Sequence, residues 1–234
     1  MVTQHEVRVL EVVHCGGDIV TVRLERPEGY SFAAGQWFRL TIPVEDGADV
    51  RTFSHASAPA DDWLELTTRL STSPFKQALA VLRPGDAVHV TPAGGRLTLP
   101  SEHGRLGVLV GGVGITPVRS MLRDRVDRGE TFEDVALFYG NRDASCEPYL
   151  DELLAMRDAG VRVVRVLQEP ESGWMGETGF ITAAMVRAYL GADDGRPFLV
   201  TGPPPMVQAM RSVLDELGVS NHRIVIEAFG TPTS

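Results

Sequence analysis

Four short stretches combine residue types suited to a phosphate or a flat ring. In Arg51-Thr52-Phe53-Ser54, strand alternation puts Arg51 and Phe53 on one face and starts Ser54 on the other. A guanidinium, an aromatic ring and a hydroxyl suit a phosphate, a planar ring and a ring heteroatom, although ordinary edge strands carry such sets too. The run Gly111-Gly112-Val113-Gly114-Ile115-Thr116-Pro117 directly follows Val108-Leu109-Val110. Glycines let the backbone approach a diphosphate, and a helix behind them offers free N–H groups and the positive end of its dipole. Pro117 fits the helix start, where a missing N–H costs nothing. The spacing is not G-x-G-x-x-G, and a plain tight turn is the alternative; a strand before and a helix after favour a nucleotide site. Thr201-Gly202-Pro203-Pro204-Pro205-Met206 follows an apolar run ending at Val200. Either its prolines simply start a helix, or it walls a planar ring at a strand's carboxyl end.

The fourth stretch holds the only lysine of the chain, Lys76, among 21 arginines. Ser73 as N-cap and Pro74 as first residue predict a helix over Phe75–Leu82, with Lys76 in its first turn. The helix dipole opposes a cation there. An anion near Arg51 and Ser71-Thr72-Ser73 explains the placement; a solvated lysine costing about a few tenths of a kcal/mol is the alternative.

The elements that must position these residues follow two grammars. Up to about residue 100 the apolar period is two, in runs at Glu6–Val13, Val20–Glu25, Trp37–Ile42, Val50–Ala56, Leu64–Thr67 and Asp86–Thr91. Turn sequences such as Arg26-Pro27-Glu28-Gly29 separate them, which predicts an antiparallel barrel or sandwich. After Gly104 the strands become continuous apolar runs alternating with helices. Leu106–Val110, Val135–Tyr139, Val161–Leu167, Pro197–Val200 and Arg223–Ala228 read as strands. Pro117–Arg128, Glu147–Asp158, Thr178–Tyr189 and Pro204–Leu217 read as the helices between them. The prediction is a six-stranded antiparallel β-barrel with one helix over residues 1–102, then a five-stranded parallel doubly wound sheet over 103–234. Ser101-Glu102-His103-Gly104 is the expected linker. Such sheets bind ligands at the carboxyl ends of their strands, so the turns after the first and fourth strands of the second half can bracket one ligand.

Composition narrows the class. The 234 residues are 43% hydrophobic and 23% charged, which suits a packed core and excludes wholesale disorder. The formal net charge is −9, neither half is basic, and nucleic acid is therefore not the main partner. No apolar stretch approaches the roughly 20 residues of a membrane span. Met1–Glu6 lacks a basic region followed by an apolar one, so no secretory signal is expected and a cytoplasmic location is. Cys15 and Cys146 are too few for a disulfide framework, a four-Cys zinc site or a Cys-ligated iron–sulfur cluster. No metal site is expected.

In order and placement these motifs resemble the ferredoxin–NADP reductase superfamily, in its compact form without an attached ferredoxin domain. The resemblance runs from Gly35-Gln36-Trp37 to Glu227-Ala228-Phe229. Arg51–Ser54 matches that family's R-x-[YF]-S flavin motif, Gly111–Pro117 its G-G-x-G-x-T-P turn and Gly202-Pro203-Pro204 its G-P-P turn. Phe138-Tyr139-Gly140-Asn141-Arg142 matches the segment after its second nucleotide-domain strand. Leu167–Trp174 is most similar to small NAD(P)H:flavin reductases, and Thr72–Lys76 to members that hold FAD tightly.

The resemblance implies an FAD-binding barrel followed by an NAD(P)-binding domain, with hydride passing from nicotinamide C4 to flavin N5. Arg51 and Thr52 would serve the flavin phosphate side, Phe53 would pack on the isoalloxazine and Ser54 would hydrogen-bond near N5. Thr68, Ser71, Ser73, Phe75 and Lys76 would complete the flavin side around its pyrophosphate. Gly112, Gly114, Thr116 and Pro117, with Asn141, Arg142, Gly202 and Pro203, would hold the coenzyme, and Phe229 aligns with an aromatic ring that covers the flavin in plant-type members. Ser54, Thr201 and Glu227 are the implied catalytic residues, Glu227 being otherwise a surface carboxylate at a strand end. Three departures stand out. Phe53 lacks a tyrosine hydroxyl, Thr201 replaces a cysteine, and Gly230–Ser234 continues past the aromatic Phe229.

A ribose diol suits a carboxylate, and a 2′-phosphate needs Arg or Lys. Gln168 and Glu169 follow the third strand with no Arg or Lys before Arg187, while Arg142 follows the second. NADH is thus expected to be preferred and NADPH tolerated. The expected acceptor is a ferredoxin or an oxygenase component; the alternatives are release of free reduced flavin and a non-catalytic nucleotide-sensing subunit. The sequence leaves the oligomeric state open.

Overall fold

A computed structural model describes residues 4–99 and 104–230. The chain forms two compact units, one of residues 4–99 with 116–127 and one of residues 104–115 with 128–230. The expected linker residues Ser101–His103, and with them the 102/103 boundary, lie outside the described residues.

The first unit is an antiparallel sheet of six strands: β1 (His5–His14), β2 (Ile19–Glu25), β3 (Trp37–Val44), β4 (Gly47–Ser54), β5 (Trp63–Arg69) and β6 (Ala87–Val90). Their order is β4-β3-β6-β1-β2-β5. The edges meet just past β4, where the Ala56 N–H donates to the Glu65 carbonyl of β5 at 2.8 Å. Period-two apolar residues fill the interior, with Val20, Val22 and Leu24 of β2 beside Phe38, Leu40 and Ile42 of β3. Helix α1 (Pro74–Ala80) plugs this core with Phe75 and Leu79.

Helix α2 (Ile115–Asp127) follows the glycine turn in sequence, yet its residues 116–127 group with the barrel. Electrostatics explains the seating. Glu65 of β5 is fully buried and accepts from Arg23 Nε at 2.6 Å and from Arg119 Nη1 of α2 at 3.2 Å. Arg119 also donates to the Ala56 carbonyl, Ser120 Oγ donates to the Ser57 carbonyl at 2.7 Å, and Arg123 reaches Asp61 at 3.3 Å. Alternation makes Glu65 look solvent-facing between Leu64 and Leu66. Instead the five central residues of β5 are all buried.

The second unit is an all-parallel sheet: β7 (Arg105–Gly111), β8 (Asp134–Asn141), β9 (Val161–Leu167), β10 (Glu177–Thr178), β11 (Phe198–Gly202) and β12 (Ile224–Ala228). The order β10-β9-β8-β7-β11-β12 reverses direction between β7 and β11. Helices α3 (Leu150–Ala155), α4 (Ala183–Leu190) and α5 (Pro204–Glu216) complete it. On one face Leu109, Phe138, Val166 and Val200 pack with Val186 of α4 and with Val207, Met210 and Leu214 of α5.

The sheet thus has six strands rather than the expected five. Thr178, read as the first residue of a helix, instead pairs with Leu167, as Glu177 does with Val166, and the helix begins later, capped by Thr182. Likewise α3 is shorter than Glu147–Asp158. Tyr149 takes a left-handed φ of 64° before it, and a 3-10 turn, Met156–Ala159, follows it. Pro117 is the third residue of α2 rather than the first, still within the turn whose N–H groups lack helical acceptors.

Removing one member of a buried ion pair costs about 3–5 kcal/mol. Glu65→Ala is expected to lower the unfolding free energy in urea by that much. Glu11→Ala, which removes an exposed partner of Arg23, is expected to change it by less than about 1 kcal/mol.

Candidate functional site

On the barrel unit, β4 and α1 bring the flavin-side candidates together. Arg51 and Phe53 share a face of β4, opposite Leu40 and Phe38 of β3. The Phe53 ring lies 5.8 Å from Phe75, the Arg51 guanidinium sits 5.4 Å over Phe75, and the Lys76 ammonium sits 4.9 Å over Phe53. The α1 start places Lys76, because Ser73 Oγ accepts the Lys76 N–H at 3.4 Å. Ser71 Oγ stands 3.3 Å from Ser73 Oγ. Lys76 Nζ donates to Thr68 Oγ1, while Arg51 pairs with Asp49. Burial, helped by the charge of Arg51, lowers the Lys76 pKa to about 8. Two cations crowd one spot, and an anion bound there relieves both.

Ser54, at the end of β4, is buried, whereas Thr52 is exposed. Beside Ser54 stands a residue that the sequence reading missed. His55 is fully buried, stacks on Phe32 at 3.8 Å and has its Nε2 3.3 Å from the Tyr30 hydroxyl. Burial, with the nearby Arg26 charge, lowers its pKa to about 3, so the imidazole is neutral at physiological pH. Its Nδ1 is buried without a partner. Only the small residues around it, Ser54-His55-Ala56-Ser57-Ala58, hint at such packing.

On the nucleotide unit, the candidates gather at the carboxyl ends of β7, β8, β11 and β12. Gly112–Gly114 forms a 3-10 turn after β7, and Gly112 has a left-handed φ of 52°. A Cβ on Gly114 would stand 2.7 Å from the Thr201 carbonyl oxygen and 2.9 Å from Gly202 Cα, so the turn lies flat against the end of β11. Met206 Sδ fills the space beside Gly111 and Gly202. Thr201 pairs with Val110 and Glu227, and Val110 with Tyr139, two residues before Asn141. Alternation therefore puts Asn141, Thr201 and Glu227 on one face.

Burial raises the Glu227 pKa. Thr201 Oγ1 and both side-chain polar atoms of Asn141 are buried without hydrogen-bond partners among the described residues. Each such group costs about 1–3 kcal/mol unless something answers it. Phe229 is half-buried, and its N–H donates to the Gly202 carbonyl at 2.9 Å, beside Pro203. The residues after Gly230 lie outside the described part. Thr116 and Pro117 are buried in α2, and Arg142 is exposed and paired with Asp143 at 3.0 Å.

The family model for the oxidoreductase NAD-binding domain matches residues 108–212. NADH-cytochrome b5 reductase 1 of Ajellomyces capsulatus is 36% identical over 156 residues, 63% of this chain and 50% of that protein. The reductase component DmpP of phenol 2-monooxygenase from Pseudomonas sp. is 32% identical over 220 residues, 90% of this chain and 60% of that protein. The chain thus spans about half the length of the first curated relatives it matches. Among solved structures, a ferredoxin NADP+ reductase from Neisseria gonorrhoeae with bound FAD and NADP superposes with a TM-score of 0.84. It is 25% identical, over 97% of this chain and 99% of that one.

Two outcomes follow from the electrostatics. The unfolded chain binds the Lys76 proton up to about 10.5 but the folded chain only to about 8, so stability gains from this residue as pH rises between those values. Urea midpoints measured across that window should rise less in Lys76→Met than in the parent chain. Thr201→Val removes an unanswered buried hydroxyl while keeping the shape, so its melting temperature should equal or exceed that of the parent.

Proposed function

The chain belongs to the ferredoxin–NADP reductase superfamily, and from that membership we propose that it is an NADH-preferring flavoprotein reductase. On this reading the barrel unit holds FAD and the parallel-sheet unit binds NADH, with NADPH second. Electrons then leave to a separate redox protein, an oxygenase component or a ferredoxin, in the cytoplasm. Bound flavin supplies the chemistry, taking up a hydride and giving electrons out singly or in pairs. The residues of the chain bind, orient and tune.

Arg51 and Lys76 neutralise the flavin phosphates, with Ser71, Ser73 and Thr68 adding hydroxyls and Thr52 standing at the exposed edge. Phe53 offers the apolar contact, and Phe75, fully buried in the barrel core, packs behind it rather than touching the flavin. The Ser54 hydroxyl hydrogen-bonds near N5. Gly112, Gly114, Thr116 and Pro117 cradle the coenzyme diphosphate at the helix start, where backbone N–H groups favour an anion. Gly202, Pro203 and Phe229 wall the nicotinamide. Thr201 Oγ1 and Asn141 meet the coenzyme's polar edges. Glu227, whose half-buried carboxyl keeps its proton to higher pH than an ordinary glutamate, would hold a proton near the reacting rings.

One observation carries this reading. Among the described residues, three polar atoms, on Thr201 of β11 and Asn141 of β8, are buried unanswered on the two sides of β7, beside the point where the strand order reverses. Open parallel sheets bind dinucleotides at that point.

The test is to load the chain with FAD, remove free flavin by gel filtration and assay NADH oxidation with ferricyanide. A yellow protein with greater kcat/KM for NADH than for NADPH is expected, and Arg51→Gln should weaken flavin retention by about tenfold or more. Flavin that elutes separately yet still turns over would replace the protein acceptor by free reduced flavin. No NADH oxidation with flavin in excess would overturn the proposal.

A further inference from the structure

Coenzyme choice on this unit has a charge that the strand pattern hides. Arg165 lies within β9, on the face of Tyr139, its partner across β8. Both groups that hold its guanidinium come from loops at the carboxyl ends of the strands. Arg165 Nε donates to the two carboxylate oxygens of Glu147 at 3.1 and 3.2 Å, and Nη2 donates to Oε2 as well. The guanidinium also stacks 4.4 Å over the ring of Trp174. The Glu147 side chain is only 2% exposed, whereas Arg165 keeps 28%. The cation therefore faces solvent at the carboxyl edge while its counter-charge is sealed beneath it.

In a doubly wound sheet the diphosphate sits at the switch point, and the adenosine ribose extends over the end of the next strand. Here that is the β8 side, whose end is laced to the loop after β9 by Gln168 N–H to the Asn141 carbonyl (3.1 Å) and Glu169 N–H to the Arg142 carbonyl (2.7 Å). Two arginines stand in this region. Arg142 pairs with its neighbour Asp143, both near the surface, and exposed pairs are weak enough for a phosphate to compete. The Arg165 pair is bidentate and backed by a buried carboxylate, which a phosphate does not displace cheaply.

We propose that Glu147 is a specificity-determining residue: by masking Arg165 it leaves a 2′-phosphate only the exposed Arg142 and so tilts the preference toward NADH. This rests on the coenzyme-binding reading above. The test measures the affinities of 2′,5′-ADP and 5′-AMP by calorimetry, and kcat/KM for NADPH and NADH, on the FAD-loaded full chain. Glu147→Gln should raise both the 2′,5′-ADP/5′-AMP affinity ratio and the NADPH/NADH ratio by roughly tenfold. Glu147→Asp, which draws the carboxylate back by one methylene, should shift them the same way by less and keeps the fold if the glutamine variant does not. Glu147→Gln with Arg165→Gln should return both ratios to those of the parent. Unchanged ratios in folded single variants, or a gain that survives loss of Arg165, would overturn the inference. If the parent chain binds neither nucleotide and oxidises neither coenzyme, the functional reading itself falls.

Discussion

Close backbone contact at the carboxyl ends of β7 and β11 is the constraint on which the nucleotide unit depends. Gly114 lies so near the Thr201 carbonyl and Gly202 that any side chain there would collide with backbone. Met206 leaves no space for one at Gly111 either. The turn is thus held flat against the end of β11. Beside it the Thr201 hydroxyl, and at the end of β8 the Asn141 amide, have no hydrogen-bond partner among the described residues. A sheet built only for stability would place apolar residues there, since an unanswered buried polar group weakens the fold.

Charge is deployed differently in the two units. In the barrel, Arg51 and Lys76 stand close enough for one to depress the other's proton affinity, which is an arrangement waiting for an anion. Farther along the same unit, Glu65 is enclosed between Arg23 and Arg119 and fastens α2. At the carboxyl ends of β8 and β9, Arg142 pairs with Asp143 and Arg165 with Glu147. In the barrel, Arg51 has Asp49, while Lys76 has, as hydrogen-bond partner among the described residues, only the neutral hydroxyl of Thr68.

Both grammars of the fold were legible because alternating and continuous apolar runs directly report one-faced and two-faced burial. The strands at Val161–Leu167 and around Trp37–Ile42 came from that signal alone. What was not legible depends on contacts between distant residues. Glu65 reads as solvent-facing until Arg119, 54 positions away, covers it. The two-residue β10 is too short to show a period, and the φ of Tyr149, which delays α3, has no sequence mark comparable to glycine. For the candidate site, the lone lysine and the glycine turns stood out by type and spacing. His55 and Arg165 did not, because one hides in a run of small residues and the other in an ordinary strand whose partner lies 18 residues upstream.

On the proposed function, reduced nicotinamide coenzyme delivers its electrons to flavin held by this chain. The most direct test is anaerobic mixing of the FAD-loaded protein with one equivalent of NADH while the visible flavin band is followed. The band is expected to bleach within a single turnover and in proportion to the NADH consumed. A band that stays intact while NADH demonstrably binds would contradict that function.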